Sequence, residues 1–269
     1  MTESSWKVVV DRDRLMITSD SFTFTTTGTD PMHVEGVLAD LQSAVRDTYG
    51  QYCGLSQAAE MVAERWGFLI VRDLLVGSKT VAELAEGLPR MSSEVLHRRL
   101  KEMAYCGIVQ VVDQGEGAGE GDQTRYELTP YGLAAEDALL AFGRWGAAAL
   151  ATPRPDDIVT DSSLMVALKA TFLPDKADGP PVCYEVHIGS HVLNIRIADG
   201  RLEVGAGPLP GADAVLDFGF ALLPLMNGEV TADEVLASGK VGVTGDTVHL
   251  HRFVRMFQLP RLPAPKVPA

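Results

Sequence analysis

Apolar residues recur at three- and four-residue steps from residue 55 to about residue 76, through Met61, Val62, Trp66, Leu69, Ile70 and Leu74. That is the period of a helix with one buried face. Gly67 falls inside the run and predicts a break between two helices, and Gly77 predicts the end of the second. Thr80, with Glu83 three residues on, is a capping box. It opens a short helix that carries Val81, Leu84 and Ala85 inward and stops at Gly87-Leu88-Pro89. Ser92 or Ser93 caps a further helix, which runs to Cys106-Gly107 and buries Val95, Leu96, Leu100 and Met103. At residue 108 the period changes to two. IVQVVD (108–113) and TRYEL (124–128) read as strands, and the glycine-rich DQGEGAGEGDQ between them (113–123) as a turn. Thr129-Pro130 then caps a long helix to about residue 150, with Leu133, Ala134, Leu139, Leu140, Phe142, Trp145 and Leu150 apolar.

Helices, then strand, wing and strand, then a closing helix: this is the order of a winged helix-turn-helix. Before it, the β-branched runs WKVVV, LMITS and FTFTTT (6–27) predict two or three short strands. Asp30-Pro31 opens a helix striped by Val34, Val37, Leu38, Leu41 and Val45. After it, TPRPDD (152–157) reads as a linker. A helix follows at 161–172. Then come strands VCYEVHI (182–188), HVLNIRIA (191–198), RLEVGAG (201–207) and DAVLDFGF (213–220), the first three as a meander. Helices at 221–227 and 231–238, a strand KVGVTG (240–245) and a last helix at 246–257 complete the chain, and the tail PRLPAPKVPA is expected to be disordered. The fold class expected is α+β. The domains are a strand-and-helix extension (1–51), a winged helix-turn-helix (52–151), a sheet-plus-helices domain (157–259) and the tail (260–269).

A length of 269 residues suits two domains of the usual ~100–200 residues. No apolar run approaches the ~18–20 residues of a membrane span, and MTESSWKVVVDRDR has no apolar stretch after a basic start. Three cysteines are too few for a disulfide framework, so a cytoplasmic protein is expected. The net charge of −13 argues against a protein that coats nucleic acid regardless of sequence. The charge is uneven, however. Residues 1–51, 113–151 and 152–269 carry net charges of −4, −5 and −4, whereas 52–112 has seven basic and seven acidic residues. Contact with phosphate is expected in that neutral segment.

Three stretches carry a resemblance: CGLSQAAEMVAERWGFLIVRDLLVG, TVAELAEGLPRMSSEVLHRRLKEMAYCGIVQ and RYELTPYGLAAEDALLAFGRWG. Together they resemble the HxlR-type winged-helix family of bacterial transcription regulators, which implies DNA binding and a homodimer. The stretch ADAVLDFGFALLPLMNGEVTADEVLASGKVGVTGDTVHLHRFVRMFQLP resembles the sterol-carrier-protein-like fold. That resemblance implies a sheet with helices packed around an apolar tunnel for lipids or other hydrophobic molecules. Residues 1–50 match neither family.

With Leu96, Leu100 and Met103 inward, a period of 3.6 turns Ser93, Glu94, His97, Arg98 and Lys101 outward. Arg98 suits a bidentate contact to guanine O6 and N7. Ser92, Ser93 and the amide end of the helix suit a phosphate. Arg99 and Lys101 suit the DNA backbone, and Lys79 and Arg90 flank the motif. Glu94 either accepts from cytosine N4 or serves the helix N-terminus. Arg125 is the one cation near a wing that otherwise carries Asp113, Glu116, Glu120 and Asp122, so few phosphate contacts are expected per protomer.

In the C-terminal domain the expected ligand lining is Leu164, Leu168 and Phe172 on one helix, Phe218, Phe220, Leu222, Leu225 and Met226 after the fourth strand, and Phe253, Met256 and Phe257 on the last helix. No metal is expected. His187 and His191 bracket a turn, His249 and His251 fall on different helix faces, and no carboxylate or cysteine stands at ligand spacing. No phosphate loop precedes a lysine, so no cofactor is expected, and without a catalytic constellation neither is an enzyme. Cys53 is a redox candidate: it falls where the HxlR-type family carries a cysteine that in some members senses oxidants. Sensing needs a lowered thiol pKa, and no basic residue adjoins it in sequence. The expectation is a dimeric regulator of operator DNA, modulated by a hydrophobic small molecule. The rival is a carrier or protein-interaction module whose winged helix no longer serves DNA.

Overall fold

In a computed structural model the described residues are 7–11, 14–19, 22–27, 49–63, 65–112, 124–150, 154, 156–219 and 221–262. The helix stripe expected from Val34 to Val45, the wing at 113–123, Phe220 and the tail beyond residue 262 lie outside them. The three β-branched runs form strands β1 (Lys7–Asp11), β2 (Arg14–Ser19) and β3 (Phe22–Thr27), an antiparallel meander.

The first helical run is broken where Gly67 predicts. Helix α1 (Gly54–Ala58) passes into a π-helical turn (Ala59–Ala63), and α2 (Gly67–Leu74) starts afresh. Between them Trp66 takes the left-handed backbone at φ 83°, which costs free energy for a bulky side chain. A Cβ on Gly67 would run into the Val62 carbonyl, so only glycine lets the two segments meet. A short strand β4 (Lys79–Thr80) leads into α3 (Val81–Gly87) through the predicted capping box: Thr80 Oγ1 accepts from Glu83 N at 3.1 Å, and Glu83 Oε2 accepts from Thr80 N at 2.7 Å. Helix α4 (Ser93–Tyr105) is capped by Ser92. Strands β5 (Val109–Val112) and β6 (Arg125–Leu128) complete a three-stranded antiparallel sheet in the order β4-β6-β5.

The single long helix expected over 130–150 is two, α5 (Pro130–Leu133) and α6 (Glu136–Ala147). The cause is at the first turn. A Cβ on Gly132 would collide with the Ile108 carbonyl, and the Thr129 hydroxyl accepts from Gly132 N at 3.0 Å while donating to the Gly107 carbonyl at 2.5 Å. That turn is pinned to the start of β5, and the helix restarts beyond it.

In the C-terminal half, α7 (Asp161–Thr171) precedes the meander β7 (Val182–Ile188), β8 (His191–Ala198) and β9 (Arg201–Ala206). Strand β10 (Ala214–Asp217) returns to pair parallel with β7, and β11 (Gly242–Thr244) pairs antiparallel with β10, giving the order β11-β10-β7-β8-β9. Helices α8 (Leu222–Met226) and α9 (Ala232–Ala237) lie between those two strands in sequence, and α10 (Val248–Met256) follows. The strand DAVLDFGF is therefore half the length its composition suggests.

Two apolar cores result. One joins Ile70, Leu84, Leu96, Leu100, Met103 and Val109; the other joins Leu168, Tyr184, Ile195, Phe218, Phe253 and Phe257. Helix α7 serves both. Leu168 and Met165 belong to the C-terminal core, while Val166 packs on the helix-turn-helix core, and Val76 reaches the other way. Two polar contacts hold the seam: Lys169 Nζ to Glu136 Oε1 at 2.6 Å, and Arg144 Nη1 to the Ala170 carbonyl at 3.0 Å.

Tyr184 is fully buried, and its hydroxyl has no hydrogen-bond partner among the described residues. Burial pushes its pKa up to about 12, partly offset by Arg252. A buried, unsatisfied hydroxyl costs free energy. Tyr184→Phe is thus expected to raise stability by about 1 kcal/mol, or the thermal midpoint by roughly 2–4 °C. A fall in the calorimetric midpoint would show that the hydroxyl is bonded after all.

Candidate nucleic-acid interface

The helix-turn-helix is α3, the turn 88–92 and α4. Leu88 and Met91 bury the turn, and Met91 N donates to the Leu88 carbonyl at 2.8 Å. Ser92 Oγ accepts from Val95 N at 3.3 Å and starts α4. Leu96, Leu100 and Met103 are each 1% exposed or less, and each such burial contributes about 1.5–3 kcal/mol. The opposite face is solvent: Ser93, Glu94, His97, Arg98 and Lys101 are all exposed, the set that the 3.6-residue period predicts.

His97 has a fixed orientation. Its Nδ1 lies 2.7 Å from the Ser93 carbonyl, and a carbonyl only accepts, so Nδ1 carries a proton. In the neutral ring Nε2 is then an acceptor, suited to a base amino group. Arg98 is half-exposed and lies 3.9 Å from Glu102, a loose pair that an exposed site makes weak.

Three other cations are engaged within the protein. Arg99 packs against the body of the domain, its side chain only 15% exposed, and Nη1 meets Glu102 Oε2 at 2.6 Å. Arg125 donates to the Ser78 carbonyl, to Ser78 Oγ at 3.1 Å and to Glu83 at 3.1 Å, which ties β6 to the start of α3. Arg90 Nη2 donates to both the carboxylate and the carbonyl of Asp156, each at 2.8 Å. Lys79 is half-buried in β4. Among the predicted cations, Arg98 and Lys101 thus share the exposed face of α4.

A buried carboxylate escaped the sequence reading. Asp73 in α2 is 1% exposed, accepts from Arg72 Nε at 2.9 Å, and sits where a Cβ on Gly87 would approach its Oδ2 to 2.6 Å. Burial pushes its pKa up, against the pull of Arg72. Adjacent Arg and Asp on a helix look like a solvated pair; the signal is the glycine fourteen positions on, which leaves the room.

Cys53 is exposed and precedes α1 as its N-cap. The backbone N–H groups of Ser56 and then Leu55 hold its thiol pKa below the usual value. The lowering comes from amides rather than from a basic side chain, so no neighbouring residue type announces it.

The side chains expected to line a tunnel meet one another in the C-terminal core. Phe253 stacks on Phe257 at 4.3 Å between ring centroids and tilts against Phe218 at 5.0 Å, and Phe172 meets Phe257 at 5.5 Å. Leu168 and Met256 are buried beside them, with Leu164 and Leu222 partly buried against the same core. Leu225 and Met226 also border a cleft of about 540 Å³ toward Val254, Arg255 and Leu259. A second cleft, of about 700 Å³, opens beside Ala221, Pro224, Val235 and Lys240. Among the described residues no three His, Cys, Asp or Glu side chains are grouped to hold a metal, and no helix is long and apolar enough to cross a membrane.

Three helices on a small antiparallel sheet, with a polar face on the last helix of the pair, define the winged helix-turn-helix class. Residues 61–153 match the family described as HxlR-like helix-turn-helix. Over 91 residues the chain is 34% identical to the uncharacterized HTH-type transcriptional regulator YvaP of Bacillus subtilis, a match covering 33% of this chain and 80% of that protein. Over 97 residues it is 25% identical to the uncharacterized HTH-type transcriptional regulator sll1512 of Synechocystis sp., covering 36% and 70%. The solved structure of the reduced transcriptional regulator YodB from B. subtilis is 27% identical, with a TM-score of 0.32, over 40% of this chain and 100% of that one. The chain belongs to the HxlR-like helix-turn-helix family.

Proposed function

We propose that this chain is a transcription regulator that lays α4 in the major groove of an operator. The observation that carries the reading is the division of α4: Leu96, Leu100 and Met103 are buried while Ser93, Glu94, His97, Arg98 and Lys101 share the solvent face. In this reading Arg98 pairs with guanine O6 and N7, and Glu94 and His97 Nε2 accept from cytosine or adenine amino groups. Ser92, Ser93 and Lys101 position the helix on phosphates. Arg90, Arg99 and Arg125 act only so far as DNA competes with their present partners, and Lys79 adds to the charge beside the start of α3.

A homodimer fits the apolar side chains left in water on α1 and α6, where Leu55 and Trp145 are 72% and 70% exposed. Two copies of α4 would then meet successive major grooves. The C-terminal half, sterol-carrier-like in sequence, is the proposed sensor for a hydrophobic small molecule. Its clefts beside Met226 and Val235 support that role. The seam along α7 gives such a ligand a route to the helix-turn-helix, provided that it binds two arrangements of that seam unequally.

Fluorescence anisotropy on a duplex selected by this chain from a randomised pool tests the reading. Arg98→Ala is expected to weaken binding by about 1–3 kcal/mol, roughly five- to 150-fold, and to relax preference at a single G·C pair. Failure to bind any duplex, even at low salt, would favour the rival reading, a carrier or protein-interaction module, which the carboxylate partners of Arg90, Arg99 and Arg125 also favour.

A further inference from the structure

We infer that Asp156, in the linker between the two halves, acts as an internal stand-in for a DNA phosphate and holds Arg90 away from the operator. This rests on the operator reading above and adds a regulatory contact to it. Arg90 lies in the turn of the helix-turn-helix, two residues before the N-cap Ser92. There a guanidinium stands beside the entrance of the reading helix, the place from which side chains reach the sugar-phosphate backbone. Its Nη2 is taken by an anion and a carbonyl from a residue 66 positions away: Asp156 Oδ2 and Asp156 O, both at 2.8 Å.

Asp156 is held in place. The linker turns back on itself, with Asp157 N donating to the Arg154 carbonyl at 3.0 Å and Arg154 N donating to Asp157 Oδ2 at 2.8 Å. Five residues after Asp156, α7 begins, and α7 is packed on α6 through Glu136–Lys169 and on the helix-turn-helix core through Val166. The position of the carboxylate therefore depends on how the C-terminal half sits. A guanidinium can satisfy a carboxylate or a phosphate with the same N–H fork, so linker and operator compete for one group.

The internal pair is a weak one. Arg90 and Asp156 side chains are 59% and 74% exposed, and exposed pairs are weak and screened by salt. A phosphate can displace the carboxylate, but each displacement costs the internal pair. A shift of the C-terminal half that moves Asp156 would free Arg90 and raise operator affinity without any change in α4.

The test is a double-mutant cycle on the full chain with the selected duplex, read by anisotropy from about 50 to 200 mM salt. Asp156→Asn is expected to bind about two- to fivefold tighter than wild type. Its plot of log affinity against log salt should steepen by up to about 0.9, one phosphate contact. In the Arg90→Ala background, Asp156→Asn should change neither. A gain of equal size with and without Arg90 reduces the effect to general charge and overturns the inference. Binding by none of these proteins, even at low salt, overturns the operator reading and this inference together.

Discussion

Phe253→Ala is expected to cost about 3–5 kcal/mol of folding free energy. Phe253 is 1% exposed and lies at the centre of the aromatic group, within 4.3–5.6 Å of the rings of Phe257, Phe218 and Tyr184. Truncation removes a buried ring that meets three others and leaves a void in the C-terminal core. With native stability on the order of 5–15 kcal/mol, the urea midpoint should fall by roughly 1 M or more. Phe253→Leu, which keeps most of the volume, should recover most of the loss. A cost under about 1 kcal/mol for the alanine variant would mean that the group is loosely packed and that space exists there for a ligand.

The second large effect concerns α4. Leu100 is 1% exposed in the helix-turn-helix core, and Leu100→Ala is expected to cost about 2–5 kcal/mol. Its influence on operator binding should follow the folded fraction: little change on cooling to where the variant is folded, and loss on warming. Arg98→Ala should show the opposite pattern, with weak binding at every temperature and an unchanged melting curve. Measured together by circular dichroism and anisotropy, the two variants separate the buried and exposed faces of one helix.

That division was legible in the sequence because an amphipathic helix writes its burial at a period of 3.6. The capping box at Thr80–Glu83 was legible for a similar reason, since both partners lie within one turn. The strands of the first meander were legible from their β-branched runs. What was not legible depends on distant pairs. The parallel return of β10 onto β7 joins residues some thirty positions apart. The partners of Arg125 and Arg90 are more than forty and sixty positions away, so both read as free cations. Arg99 is different: Glu102 stands three residues on, at pairing distance along a helix, and that spacing was available. The split between α5 and α6 also left a trace, in Gly132 two residues after the Thr129-Pro130 cap. Phe253 on α10 and Phe257 just after it are both buried. Whether they line a tunnel or fill a core depends on Phe172, Tyr184 and Phe218 from distant parts of the chain, which no local pattern records.

The apolar flanks of α7 bear on how this protein may be cut or recombined. Cleaving the chain in the linker would strip Val166 from the helix-turn-helix core and leave Val76 bare. A reader fragment made that way would expose greasy surface and tend to clump, unlike a stand-alone regulator. Shuffling its C-terminal half for another would demand a matching stripe on the incoming helix. One helix thus serves two cores, and a substitution on either of its flanks is felt by the half that flank covers.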